Sequence, residues 1–456
     1  MSKEDNRRYL ILKDPNIYKG LIILALPLML NNFIKTVHDL VDMYFVSKIV
    51  DHSADAVSSI SITFPVLFMF LSLGMGLAVA GTSLISQLVG SNQIIDAKKY
   101  ATNLFILASF IGIVLNIISY FGAPYIMALM GAEGYLLDNS VAYLQIRSFE
   151  LTFVFIFFAF TSIRQSDGDM VTPVIYGVIT IVLNIVLSPI FISVLNFGVA
   201  GAAYATLIAN VAIMPFIFYQ LFYSKKNSLR ISLKELKFNK LIMKTMLKTA
   251  LPASSGQALT AVGFVIMTKI IISYGSNIVA AFSVGNRLSS LVLHPVMAIG
   301  GVLVAYIGQN IGNLNIERAR ETFKKAMYLS VGTMIVLSII VMFVREPLAS
   351  IFLGNDSVAL NLTVTYMFYL IIGLPLMAIF QTFTGTFIGT GNTKYSFILS
   401  VTRLWVLRIP LILIFKHFTD FGSVGIWTAM LISNFVIAFL GYYLYTKLNW
   451  EPKYKV

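Results

Sequence analysis

Between Pro27 and Val46 the chain reads PLMLNNFIKTVHDLVDMYFV, an apolar stretch interrupted by Lys35, His38, Asp39 and Asp42. Carboxylates and an imidazole can take up, hold and release a proton or a cation, and inside a membrane helix such groups mark pathways for ions or substrates. At helical spacing Asn31, Lys35, His38 and Asp42 share one stripe with Asp39 at its edge, while Leu30, Phe33, Val37, Leu40 and Tyr44 take the other side. The stretch is long enough to cross a bilayer, where a central charge costs roughly 2.5 to 3.5 kcal/mol on insertion scales. The stripe must therefore face protein or a water-filled cavity, and the opposite side suits lipid.

Only further helices can supply that shelter. Breaking the sequence at charges, Gly/Pro clusters and turn residues gives twelve apolar segments, at 18–48, 55–89, 100–122, 138–163, 173–194, 199–223, 247–274, 278–311, 325–344, 357–386, 394–416 and 423–446. With 58% hydrophobic and 12% charged residues, this predicts an all-α polytopic membrane protein of twelve transmembrane helices. The net charge of +13 sits mostly in short loops between apolar runs, which sets membrane orientation and argues against a nucleic-acid partner. Basic segments at the N-terminus, 91–99, 313–325 and the tail alternate with far less basic loops, so both termini are expected in the cytoplasm and the chain in the inner (plasma) membrane. The first nineteen residues lack the apolar core and cleavage site of a removed signal, so the first span is expected to act as an uncleaved one. The absence of cysteine excludes disulfides, thiolate metal sites and a cysteine nucleophile. No Gly-x-x-x-x-Gly-Lys-Ser/Thr loop is present to drive work with ATP.

The two halves repeat each other. Leu26-Pro27 recurs as Leu251-Pro252, Gln87-x-x-Gly90 as Gln309-x-x-Gly312, Gly168-Asp169 as Gly391-Asn392, and Gly201 with Asn210 as Gly425 with Asn434, all at spacings of 222 to 225 residues. Each half is read as one six-helix lobe, and an even number of spans makes the pseudo-two-fold axis run along the membrane normal. The expected organisation is a cytoplasmic segment (1–19), an N-terminal lobe (20–223), a linker (224–246), a C-terminal lobe (247–446) and a cytoplasmic tail (447–456). The linker, rich in lysine, is expected to lie near anionic lipid headgroups.

Several stretches carry a resemblance: VDMYFVSKI (41–49), SQLVGSNQIIDAKKYA (86–101), LNIVLSPIFI (183–192), FGVAGAAYATLIAN (197–210), GQNIGNLNIERAR (308–320) and GTFIGTGNTK (385–394). Together they resemble the multidrug and toxic compound extrusion (MATE) family, on the side of the bacterial DinF-like and MepA-like exporters. The resemblance implies a V-shaped pair of six-helix lobes that exports drugs or toxic organic compounds in exchange for H⁺ or Na⁺, with no cofactor and no enzymatic reaction. It places the coupling cation in the N-terminal lobe, on the positions matching the family pattern: Asp42, Asn184 with Ser188, and Ala202 with Thr206. If the ion is Na⁺, Asp42, Asn184 and Thr206 are its ligands. Where the family has an acid, this chain has Ser188, which leaves Asp39 as a candidate second carboxylate or as an i,i+4 partner of Lys35. Asn184 and Ser188, like Ala202 and Thr206, are i,i+4 neighbours, and Gly198-x-x-x-Ala202 is expected to let two backbones approach closely. With the N-terminus inside, Asp42 stands about 33 Å along its helix from Gly20, toward the outer leaflet.

The remaining intramembrane charges point elsewhere. Arg147 and Glu150, at i,i+3, are expected to neutralise each other. Lys269, Arg287, His294, Arg403 and Arg408 make the C-terminal lobe cationic, and His38, Lys35, Arg287 and His294 are candidates to line a substrate cleft. Gly300-Gly301 reads as a helix contact. Three functions follow: a secondary antiporter, working as a monomer on small organic molecules in the bilayer; a flippase or exporter of an anionic, amphiphilic or lipid-linked substrate; and, last, a membrane enzyme centred on His294, which lacks an acid or nucleophile at helical spacing.

Overall fold

The computed structural model describes residues 3–46, 53–225, 227–232, 237–353 and 357–455, excluding the side chains of 3–5, 39–46, 53–57, 352 and 357. Described residues form helices and no strand. A short helix α1 (Lys3–Leu12) precedes α2 (Ile17–Val46), α3 (Ser53–Gly90), α4 (Ile94–Leu129) and α5 (Gly134–Ser166). They are followed by α6 (Val171–Val194) and α7 (Gly198–Tyr223). The second half holds α8 (Lys240–Ile272), α9 (Ser276–Gly312), α10 (Ile316–Leu353), α11 (Ser357–Gly389), α12 (Thr393–Phe418) and α13 (Ser423–Thr446). Helices α2 to α13 are each long and apolar enough to span a membrane and match the twelve expected segments one to one.

The expected limits 100–122 and 325–344 fall short of α4 and α10 because Lys98, Lys99, Arg318 and Arg320 end the apolar stretch without ending the helix. A helix satisfies its own backbone and runs on into water. The described part of the linker is tied to the bundle. Leu229 and Ile231 are fully buried in the N-terminal core, and Asn239 caps α8 by accepting from the Leu241 and Ile242 N–H groups.

The repeat is written into the backbone. Left-handed residues recur at matching turns, Asn92 with Leu314 (φ 61° and 57°), Gly168 with Gly391 (79° and 72°) and Gly198 with Gly422 (54° and 54°). The halves meet where the two Gln-x-x-Gly motifs cross: a Cβ on Gly90 would collide with the Gln309 carbonyl, and one on Gly312 with that of Gln87. Each glutamine then donates to the end of the fourth span of the opposite lobe, Gln87 Nε2 to Gly389 O at 3.1 Å and Gln309 Nε2 to Ser166 O at 2.8 Å. Two equivalent bonds exchanged in this way place the pseudo-two-fold axis between α3 and α9. The first span of each lobe leans on the other lobe, α2 against α9, where Tyr306 fills the space over Gly20, and α8 against α3, where Ser254 Oγ donates to Leu73 O at 3.2 Å. Gly300 likewise lies against Gly385 of α11, as a helix contact should.

Both chain ends cross the same junction. From α1, Arg8 Nη2 donates to Val89 O at 2.7 Å, while the Leu10 and Ile11 carbonyls accept from Tyr306 Oη (2.8 Å) and Asn310 Nδ2 (3.2 Å) of α9. Arg7 pairs with Asp169 at 3.1 Å, and Arg164 and Thr172 also bond that carboxylate. Burial alone would raise the Asp169 carboxyl; Arg164, Thr172 and Arg7 outweigh it and hold the group below its ordinary range. In the tail, Asn449 O accepts from Asn392 at 3.0 Å, Lys453 N donates to Gln87 Oε1 at 2.8 Å, and Lys455 N donates to Tyr100 Oη at 2.9 Å.

Candidate functional site

Asn184 of α6, 2% exposed, joins three helices. Its Oδ1 lies 2.8 Å from His38 Nε2 of α2 and accepts from Ser188 Oγ at 3.3 Å, while its Nδ2 donates to Thr206 Oγ1 of α7 at 3.0 Å. Thr206 Oγ1 donates in turn to Ala202 O at 3.0 Å. An amide oxygen has two lone pairs, and His38 and Ser188 take both. The structure thus gathers His38, Asn184, Ser188, Ala202 and Thr206. Asp39 and Asp42 lie in helix α2, but their side chains are outside the described residues. The opposite side of α2 behaves as the periodicity predicts, with Leu30, Phe33 and Val37 exposed.

One expectation is corrected. Gly198 meets no neighbour and serves instead to start α7 with positive φ; the close approach is made by Gly201, whose Cβ would fall 2.6 Å from Phe191 O of α6.

The polar cluster extends further than the spacing suggested. Arg147 and Glu150 do pair, at 2.6 Å. Glu150 Oε1 also accepts from Asn210 Nδ2 at 3.3 Å, and Asn210 bonds Thr206 O at 3.0 Å, which ties the ion pair to the cluster. Asn210, one turn beyond Thr206, was visible in the sequence only as a repeat marker. Across the lobes, His294 Nε2 of α9 lies 3.3 Å from Thr36 Oγ1 of α2, so His294 does reach the stripe-bearing helix. Lys35 and Arg287 are exposed and take no part in these contacts.

The MatE family model matches residues 27–190 and matches again at 252–414, once per lobe. The chain belongs to the MATE family. Among relatives, the multidrug export protein MepA of Staphylococcus saprophyticus is 25% identical over 81% of each chain. A crystal structure of a MATE protein in complex with MaL6 superposes with a TM-score of 0.91 at 26% identity, covering 98% of both chains. The outward-facing conformation of a multidrug resistance MATE transporter superposes at 0.89, with 26% identity and 96% of each chain covered. This MATE chain is therefore a multi-pass membrane transporter of the multidrug efflux class.

Within that family fold the C-terminal lobe of this chain is electrostatically unlike the N-terminal one. Arg403 and Arg408 of α12 are buried at 7% and 4% exposure. Arg408 donates to Ser433 Oγ (3.1 Å) and Asn434 Oδ1 (2.8 Å) of α13, while Arg403 reaches Met377 Sδ (2.9 Å) and covers the Phe380 ring (4.2 Å).

Proposed function

We propose that this chain exports small organic compounds against their gradient by exchanging them for a cation, the cleft between its lobes opening alternately to either side. The observation that carries the reading is the convergence of α2, α6 and α7 on Asn184. Occupancy of an ion there is felt by the helix that packs on the opposite lobe, through His38, and by two helices of its own lobe. Asp42, also of α2, is the residue that binds and releases the ion; Asn184, Ser188, Ala202 and Thr206 surround it, and Asp39 is its nearest carboxylate in the sequence. Both lone pairs of the Asn184 amide oxygen are engaged by protein donors, and a titratable imidazole is one of them, which supports H⁺ over Na⁺ as the ion. Sodium would need oxygens that are here turned toward each other.

The end of the bundle that carries both termini is bridged by α1, by the tail and by the Gln87 and Gln309 crossing. Those bridges support a state closed on that side, and the loop charges make that side cytoplasmic. Dye efflux from cells tests the reading: Asp42→Asn should fold and reach the membrane yet export nothing, and drug resistance equal to the wild type in that variant would remove Asp42 from the mechanism.

A further inference from the structure

In the N-terminal lobe the amide of Asn184 follows Val182-Leu183 on α6. In the C-terminal lobe Val406-Leu407 of α12 leads into Arg408, 224 residues on, and its partner Asn434 stands 224 residues beyond Asn210. The helix pair that holds Asn184 against Thr206 thus has a counterpart that holds a guanidinium against Ser433 and Asn434. The pseudo-symmetric position has changed polarity: where one lobe carries a neutral amide, the other carries a fixed cation.

Arg403 adds a second charge beside it. The segment Thr402–Arg408 is a π-helix, in which residues five apart stack on one side, as they do not in an α-helix. Removing a guanidinium from water costs several kcal/mol unless an anion compensates it. No such anion is built in: α8, α9, α11, α12 and α13 contain not one Asp or Glu, and those of α10 (Glu317, Glu321 and Glu346) lie near its ends. The acceptors in place are weak. Arg403 has a thioether and a ring face, and its Nε, buried, has no partner among the described residues. Beside the two arginines a small cavity is lined by Tyr366, Met377, Trp427, Met430 and Asn434. Its wall is aromatic, with the Tyr366 and Trp427 rings 4.0 Å apart and stacked, and the buried Trp427 Nε1–H also lacks a partner among the described residues. Met377, which Arg403 contacts, and Asn434, which Arg408 contacts, both line this cavity, so the two guanidinium groups sit just behind its aromatic wall.

We propose that the C-terminal lobe holds a binding site for the anionic head of an amphiphilic organic substrate, a carboxylate or phosphate on Arg403 and Arg408 with its aromatic or alkyl body against Tyr366 and Trp427. The proposal deepens the export reading and rests on it for the direction of transport, but binding can be measured without transport. The guanidinium fork of Arg408 matches a planar carboxylate or phosphate edge, and an anion there would replace Ser433 and Asn434 as acceptor.

The test is fluorescence polarisation on the purified full chain in neutral detergent, with carboxyfluorescein as anionic probe and ethidium as cationic probe. The wild type is expected to bind carboxyfluorescein at least tenfold more tightly than ethidium. Arg408→Gln and, separately, Arg403→Met should each erase that preference by tenfold or more, with Arg408→Lys retaining part of it. Equal or tighter binding of ethidium by the wild type, a measurement that needs no variant to fold, overturns the proposal, as does an unchanged preference in both variants. Displacement of the dye by phosphatidylglycerol at tenfold lower concentration than by a soluble aryl phosphate overturns it in favour of a lipid headgroup. Dye binding as expected with no efflux from vesicles would sink the export reading and leave the site standing.

Discussion

Asn184 spends every polar atom of its side chain on named partners, His38, Ser188 and Thr206, and this economy sets what its loss should do. Truncation removes three side-chain hydrogen bonds from a buried site, at a net cost of about 1 to 3 kcal/mol. Asn184→Ala is expected to lower unfolding stability by about that amount in a detergent melt and to cut dye efflux at least tenfold. A variant with wild-type efflux would take Asn184 out of the proposed coupling site. Much of this cluster was legible beforehand, because Asn184 with Ser188 and Ala202 with Thr206 lie at i,i+4 and fit the family pattern. The link from Thr206 through Asn210 to Glu150 was not. Helical spacing assigns residues to faces, but which face of α5 meets which face of α7 is decided by packing, and no single sequence states it. Arg408 shows the same limit, since its charge was plain and its partners on α13 were not.

Among the elements, the crossing of α3 and α9 leaves no room for a side chain on Gly90 or Gly312. Gly312→Ala puts a methyl into the Gln87 carbonyl, so the two lobes must separate locally, an overpacking cost of roughly 1 to 3 kcal/mol. Gly332 of α10 is the contrast: nothing lies within 4 Å of the Cβ it would gain. Gly332→Ala should therefore stabilise by up to about 1 kcal/mol through helix propensity. Parallel thermal melts decide this, and a Gly312→Ala melt superimposing on that of Gly332→Ala would refute the crossing as a structural joint. The sequence carried the number and order of helices because each span needs its own apolar run. It misjudged their ends wherever lysine and arginine continue a helix past the membrane, and it credited Gly198 with a contact that Gly201 makes.

At the scale of the whole molecule, α1 and the tail span the junction between lobes, and Asp169 is the charged knot under α1. Its carboxyl is held below the ordinary value, so its contribution to stability is complete above the unfolded value of about 3.9 and disappears as pH falls through the lower folded one. Asp169→Asn should accordingly reduce the melting temperature throughout pH 5 to 8 by a constant amount, with the difference vanishing only in strong acid. A difference that grows between pH 6 and 8 would contradict this. Removing residues 449–456 deletes the contacts to Asn392, Gln87 and Tyr100 and should favour opening at that end. Because the chain has no native cysteine, Ser83→Cys, buried where Ser83 Oγ reaches Ile388 O of the other lobe at 2.6 Å, reports such opening cleanly. Maleimide labelling there should quicken several-fold in the shortened chain, and an unchanged rate would mean that the tail does not restrain the lobes. These straps join segments hundreds of residues apart, and nothing in the local pattern of the tail announces them.

Uphill dye movement in reconstituted vesicles is the measurement that decides whether substrate is exchanged for a cation through Asp42, as proposed above. An imposed H⁺ gradient of opposite direction should drive dye accumulation by the wild-type chain, abolished by a protonophore and absent in Asp42→Asn. Dye movement indifferent to both H⁺ and Na⁺ gradients, or fully retained in Asp42→Asn, would rule out cation exchange through Asp42.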